Sequence, residues 1–266
     1  MSTTRVPAAL AAAAALALAC AARGPSPFAG ARLVDLTHPF SSETIYWPTE
    51  EGFVHETGFR GVTERGFWYE AHRFRAAEHG GTHVDAPVHF AKGMSAVDEL
   101  PLARFVAEGV RVDVAAACAR DRDHAVGVAD LQAFEAAHGR IPRGAIVLLH
   151  TGFARRWPDR ARYLGHPGRG PEAAEALHFP GLSAEAAAWL VDARGVAAVG
   201  IDTASIDPGP SRDFGAHRAL GARDVPAFEN LANLDALPPR GFTVIALPMP
   251  IAGGSGAPLR AIALVP

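Results

Sequence analysis

Cysteine and lysine are nearly absent from this 266-residue sequence: Cys20 and Cys118 are the two cysteines, and Lys92 is the one lysine. With Cys20 inside a leader-like segment, Cys118 stands alone, which excludes an internal disulfide framework and a zinc site built on cysteine. Charge of one sign is missing too. Lys and Arg number 25 against 28 Asp and Glu, a net charge of −3, so there is no strongly basic surface to neutralise phosphates and nucleic acid is not expected as a partner. The positive charge is almost all Arg and Ala is abundant, a pairing that reads as genomic codon bias and not as an arginine-rich binding face. Apolar residues make up 49% of the chain, enough to bury a core, which excludes a disordered chain. From Ala31 onward there is no internal repeat, long linker or low-complexity tract, so one domain is the simplest organisation.

A long apolar run occurs only at the start, where Arg5 precedes an Ala/Leu stretch from Ala8 to Ala19, then Cys20 and the breaker-rich Arg23-Gly24-Pro25-Ser26-Pro27. The stretch is shorter than the roughly 20 residues that span a bilayer and ends in small residues, the pattern of a secretory signal. Residues 1–22 are therefore expected to be a secretory or lipoprotein signal, 23–30 a linker and 31–266 the folded domain. Ala17-Leu18-Ala19 offers a small-x-small cleavage site; Leu16 to Cys20 resembles a lipobox with Ala17 where Leu is usual. Both imply export to the periplasm or beyond, the second with membrane attachment through a lipidated Cys20.

Alternating or apolar runs predict strands at Arg32–Leu36, Val110–Val114, Ala145–Leu149, Val196–Ile201, Phe242–Leu247 and Leu259–Leu264. Helical signals are fewer. Asp130 is placed to cap a helix over Leu131–His138 ending at Gly139, and Ser183 one over Ala184–Ala193 ending at Gly195. Strands outnumber helices and the two intermix, which predicts a single α/β domain with mixed β-sheet and few helices.

Histidine is what the chain has in surplus, with 12 residues. It is the commonest metal ligand and the side chain that titrates near neutrality, and one segment concentrates it: Glu78-His79-Gly80-Gly81-Thr82-His83-Val84-Asp85-Ala86-Pro87-Val88-His89-Phe90. If Thr82–Asp85 is extended, alternation puts His83 and Asp85 on one face. The glycine pair permits a turn that brings His79 back to that face. Two neutral imidazoles and a carboxylate suit Zn²⁺, with Mn²⁺ as the alternative, and leave positions open for water and substrate. Pro87 ends the strand, so His89 approaches from another direction, a placement suited to general acid/base work.

This segment resembles the signature of the cyclase-like metal-dependent hydrolases, the family of bacterial kynurenine formamidase and isatin hydrolase. Asp35-Leu36-Thr37-His38-Pro39, Trp47-Pro48, Thr151-Gly152-Phe153, the run Gly200–Asp207, Glu229–Leu234 and Gly253–Pro258 follow in the family's order. The resemblance implies a swivelling β/β/α fold. It further implies that His79, His83 and Asp85 hold the metal, that His217 and Glu229 complete the site with Asp85 bridging two zinc ions, and that His89 is the catalytic acid/base. One ion or two stays open, because single-metal members alter the later part of the site. Trp47 matches a tryptophan that lines the substrate pocket, and Tyr46, Phe67 and Trp68 are candidates for the same aromatic wall. Asp202, Ser205 and Asp207 are expected to orient the ligand imidazoles; Asp35 and His38 are candidates for the same task or for a turn before Pro39. His55, His72, His124, His138, His150, His166 and His178 carry no assigned function.

The expected reaction is metal-dependent hydrolysis of an amide C–N bond, as in an arylformamidase converting N-formylkynurenine to kynurenine and formate. A bound cation lowers the pKa of water from about 15.7 toward 7 and polarises the scissile carbonyl. An isatin-like lactam is the alternative substrate, since export fits tryptophan catabolism to kynurenine poorly. A non-catalytic, exported metal-dependent binding protein and a lyase or true cyclase are the rival classes. Gly253-Gly254-Ser255-Gly256 reads as a tight turn and Pro208-Gly209-Pro210-Ser211 lacks a strand-elbow-helix context, so no serine nucleophile is expected. By resemblance the chain forms a homo-oligomer.

Overall fold

The computed structural model describes Phe28 and residues 30–266. The expected signal, most of the linker and Cys20 lie outside the described residues. The strands are β1 (Arg32–Asp35), β2 (Val54–Val62), β3 (Trp68–Arg75), β4 (His83–Asp85), β5 (Val106–Asp113), β6 (Ala125–Val126), β7 (Ile146–His150), β8 (Gly181–Leu182), β9 (Ala198–Ile201), β10 (Ala227–Glu229), β11 (Phe242–Pro248) and β12 (Gly256–Val265). Eight of them form one sheet in the order β1-β12-β11-β5-β7-β9-β10-β4. Because β4 also pairs with β12, the sheet closes on itself. The neighbours β5-β7-β9-β10 run parallel, whereas β11, β12, β1 and β4 pair antiparallel. The mixed α/β architecture read from the sequence is the one observed.

Alternation along each strand divides the buried side chains between two cores. Val84, Ile146, Leu148, Ala198, Phe228, Val244, Ala257 and Ala261 fill the inside of the closed sheet. Val110, Val112, Val147, Leu149, Val199 and Ile201 face outward, against Leu131 and Phe134 of the helix Val128–His138 and Ala186 and Ala187 of the helix Ala184–Trp189. With cores on both sides, β7 is buried at every residue. That is why Ala145–Leu149 reads as a continuous apolar run and not as an alternating one.

Two helix boundaries differ from the sequence reading. The first helix begins at Val128, a turn earlier than expected, because Asp130 is its third residue and reaches back to accept the Gly127 N–H at 2.8 Å. Ser183 caps as expected, its Oγ accepting the Ala186 N–H at 3.1 Å. That helix ends at Trp189 and continues as a wider π turn, Leu190–Arg194, which stops at Gly195. The hairpin β2–β3 had no clear sequence signal. It stands off the body as a separate two-stranded sheet and carries Phe67 and Trp68, both more than half exposed, away from the site they were expected to line. Cys118 is buried and free, its thiol pushed up to about 12 by burial.

Candidate metal centre

β4 is the floor of the site. His83 and Asp85 share one face while Val84 points into the inner core, as the period of two requires. Antiparallel pairing sets Glu229 of β10 directly opposite His83, so a residue 146 positions later in the chain faces the same space. The glycine pair folds His79 back over this face. Gly81 has φ +58, a left-handed conformation that glycine adopts without strain. Gly80 is needed for space instead, since a Cβ there would lie 2.1 Å from Tyr46 Cδ1. Pro87 opens a 3-10 turn, Pro87–His89, after the strand, and this turn delivers His89 from the side, its ring stacked on His79 at 3.8 Å. His217 comes from the short helix Gly215–Gly221.

The charges in this space are buried together: His83, Asp85, Glu229 and His217 are all nearly inaccessible. Asp85 straddles the group. Its Oδ1 lies 2.6 Å from His79 Nδ1 and 3.2 Å from His83 Nε2, and its Oδ2 lies 2.9 Å from His217 Nε2. Glu229 Oε1 is 3.2 Å from His217 Nε2 and Oε2 is 3.6 Å from His83 Nε2. Burial opposes ionisation of Asp85, but the surrounding histidines hold it well below the usual carboxylate range. Glu229 is pushed up by burial and by the Asp85 charge beside it. His83 is held up at about 9, because Asp85 and Glu229 outweigh the desolvation that opposes its charged form. His89 opens onto the cavity and is pulled down to about 4 by desolvation, partly offset by Asp85.

A cation suits these donors. His83 donates its Nδ1–H to the Gly81 carbonyl at 3.0 Å, and His217 donates its Nδ1–H to Asp207 at 2.6 Å. In the neutral imidazoles both Nε2 lone pairs therefore face the carboxylates of Asp85 and Glu229. Lone pairs and carboxylate oxygens at these distances repel unless positive charge sits between them: no Lys or Arg lines the site, so the charge is either a proton on each imidazole, which the neighbouring carboxylates favour at His83 and His217, or a cation that takes the protons' place. Two sets of donor atoms lie within 4.8 Å of one another, His83-Asp85-Glu229 and His79-Asp85-His89. The donor set is imidazole and carboxylate, that of a zinc or manganese centre.

Above this floor is a cavity of about 340 Å³, within the range of small-molecule sites. Trp47 and Tyr46 line it as expected, joined by Ile45, Phe90 and Phe214. Phe90 and Phe214 were not singled out in the sequence, although each lies close to a histidine of the site, His89 or His217. Of the residues expected to orient imidazoles, Asp207 contacts one, accepting from the His217 ring and from the backbone N–H groups of Ala216 and His217. Ser205 lines the cavity and accepts the Asp207 N–H at 3.2 Å. Asp202 acts elsewhere: it accepts the Thr151 hydroxyl and the N–H groups of Thr151 and Gly152, fixing that loop and not an imidazole. Asp35 pairs with Arg260 at 2.6 Å. His38 stacks on Trp157 at 4.3 Å, with burial pulling it down to about 4. Neither touches the cluster.

A closed mixed sheet that buries imidazoles and carboxylates beneath an aromatic cavity is the arrangement of a metal-dependent hydrolase. The family profile described as "Putative cyclase" matches residues 34–208, and the chain belongs to that family. It is 34% identical over 197 residues to the isatin hydrolase of Roseibium aggregatum, covering 71% of this chain and 72% of that protein. With the kynurenine formamidase of Salinibacter ruber it shares 32% identity over 232 residues, 86% of this chain and 96% of the relative. Isatin hydrolase A from Ralstonia solanacearum superimposes with a TM-score of 0.78 at 33% identity, covering all of both chains.

Proposed function

We propose that the chain hydrolyses the C–N bond of a compact aromatic amide, with His79, His83, Asp85, His217 and Glu229 holding one or two Zn²⁺ or Mn²⁺ ions. The observation that carries this is the convergence of imidazole nitrogens and two buried carboxylates on the floor of an aromatic cavity. When bound, a cation of this kind supplies Lewis acidity and lowers the pKa of water. The chain's own residues do the rest. Trp47, Phe90 and Phe214 clasp a flat ring by contact and stacking. His89, facing the cavity and fixed by its stack on His79, accepts a proton from the attacking water and returns it to the leaving nitrogen, a role worth about 10²- to 10⁴-fold in rate.

Elemental analysis and turnover test this together. The purified chain is expected to carry one or two Zn or Mn, His83→Ala to lose metal and activity, and His89→Ala to keep metal while losing about 10²- to 10⁴-fold in kcat. Metal-free wild type sinks the site, and undiminished kcat in His89→Ala removes that residue's role.

N-formylkynurenine and an isatin-like lactam differ in charge. The first is a zwitterion, and the cavity offers Glu50 and Glu78 to its ammonium but no Arg or Lys to its carboxylate; the second is uncharged. A kcat/KM for N-formylkynurenine above those for isatin and uncharged formanilides selects the formamidase, and the reverse order selects the lactam hydrolase. Export and lipid attachment at Cys20 are supported by the leader pattern alone; palmitate labelling abolished in Cys20→Ser is the expected result.

A further inference from the structure

The segment Gly253–Gly256 does more than turn the chain. Glu78 Oε2 accepts the Ser255 N–H at 2.9 Å, the Ser255 hydroxyl at 2.7 Å and the Gly256 N–H at 3.3 Å. Ser255 Oγ also lies 2.9 Å from His79 Nε2. A serine hydroxyl has one hydrogen. With that hydrogen given to the Glu78 carboxylate, Oγ has only lone pairs left to offer, so His79 Nε2 must bear the hydrogen of this contact. The tautomer of a neutral His79 follows: Nδ1 is the bare nitrogen. It lies 2.6 Å from Asp85 Oδ1, a contact that a proton on Nδ1 closes when no cation is bound and that a cation shared by the two atoms would replace. The loop is built to come this close. A Cβ on Gly256 would lie 2.4 Å from His79 Cε1, and Gly253 N–H donates to Asp98 at 2.9 Å, pinning the far side of the turn.

We infer that Glu78 and Ser255 are positioning residues that fix His79 in its Nε2–H form, so that Nδ1 is the atom presented to the cation. The inference rests on reading the cluster as a cation centre. His83 and His217 have their outer N–H committed to Gly81 O and Asp207; the Glu78–Ser255 pair is the corresponding device for His79, assembled from residues 177 positions apart. Such partners raise ligand basicity and hold the ring, and their loss typically costs about 10- to 100-fold in metal affinity.

The test equilibrates zinc-loaded full-length chain with a chromophoric chelator. Ser255→Ala removes the hydroxyl but keeps the backbone N–H bonds to Glu78, so the loop stays anchored. It is expected to weaken zinc binding about 10- to 100-fold, with Ser255→Thr, which keeps a hydroxyl, restoring most of it. Glu78→Ala should weaken binding at least as much as Ser255→Ala. In ¹⁵N-imidazole-labelled zinc-loaded wild type, the His79 Nε2 should give the signal of a protonated ring nitrogen and Nδ1 that of a coordinating one. Tight wild-type binding that Ser255→Ala leaves within about twofold overturns the inference and leaves the site reading intact. A protonated Nδ1 in the loaded protein overturns it as well. A wild-type chain that holds no zinc or manganese overturns both.

Discussion

At the scale of single residues, the glycine pair shows how one sequence signal hides two physical causes. Gly80-Gly81 reads as a turn, and Gly81 is indeed left-handed, but Gly80 is glycine because the Tyr46 ring occupies the space a side chain would need. Gly80→Ala is expected to destabilise by about 1–3 kcal/mol through overpacking, seen as a fall in Tm of several degrees; an unchanged Tm would refute the packing argument. His79, His83, Asp85 and His89 are legible because they lie in one short segment whose turn and strand geometry sequence rules can supply. Phe214 and Ser255 are not. Each reaches the site by a chain path that no local rule describes, and each has residue types that elsewhere mean only packing or a turn.

Among elements, the short helix Gly215–Gly221 depends on one carboxylate. Asp207 accepts the N–H groups of Ala216 and His217, which begin the helix, and also the His217 ring N–H. Asp207→Asn should therefore lower metal affinity about 10- to 100-fold and reduce stability, whereas a purely structural role predicts loss of stability alone; metal titration beside thermal unfolding separates them. The helix Val128–His138 is tied to the π turn by Arg194, which forms two bonds to Glu135 at 2.6 and 2.7 Å. This bonding, opposed by desolvation, holds Glu135 below its ordinary value of 4.5. A carboxyl depressed on folding contributes stability that is present above its unfolded pKa and lost as pH falls through the folded one. Glu135→Gln should thus lower Tm at pH 7, with the difference from wild type shrinking as the pH is taken below 4.5; a pH-independent difference would refute the ion pair as its source.

For the molecule as a whole, burying Asp85 beside Glu229 would, on the proposed function, make the bound cation a part of the fold's stability. Ligand bound at about 100 times its Kd adds about 2.7 kcal/mol, which for a domain of this size is about 5–10 °C in Tm. Chelation should lower Tm by that amount and re-addition of zinc should restore it; an unmoved Tm would mean the carboxylates are neutralised without metal. The hairpin β2–β3 exposes Phe59, Phe67, Trp68, Tyr69 and Phe74, each about half accessible. Alternation divides them between the two faces of the hairpin, Trp68 and Phe74 on one and Tyr69 stacked on Phe59 on the other, so at about 150–250 Å² per ring the arm offers on the order of 500 Å² to a partner that wraps both faces. Two copies that exchange arms would do so and approach the ~1,200 Å² of a stable interface. Its charges are of both signs and partly paired, Arg60 with Glu70 and Arg75 with Glu51 and Glu56, which suits a second copy of the chain better than an anionic membrane. We propose a homo-oligomer using this arm. Trp68→Asp should shift sedimentation toward the monomer, and a wild type that sediments as a monomer would refute the proposal.

The sequence by itself determined the chemistry of the centre: three histidines and a carboxylate within one segment, a breaker that turns His89 aside, and alternating runs that make strands. These are local, set by backbone period and by proline and glycine geometry. Tertiary structure decided which distant residues join them. Strand pairing brought Glu229 opposite His83, a carboxylate at a helix start aimed His217, and closure of the sheet brought β12 and the Ser255 loop against His79. Register between strands far apart in sequence depends on the packing of the whole core, and no residue's own propensity encodes it.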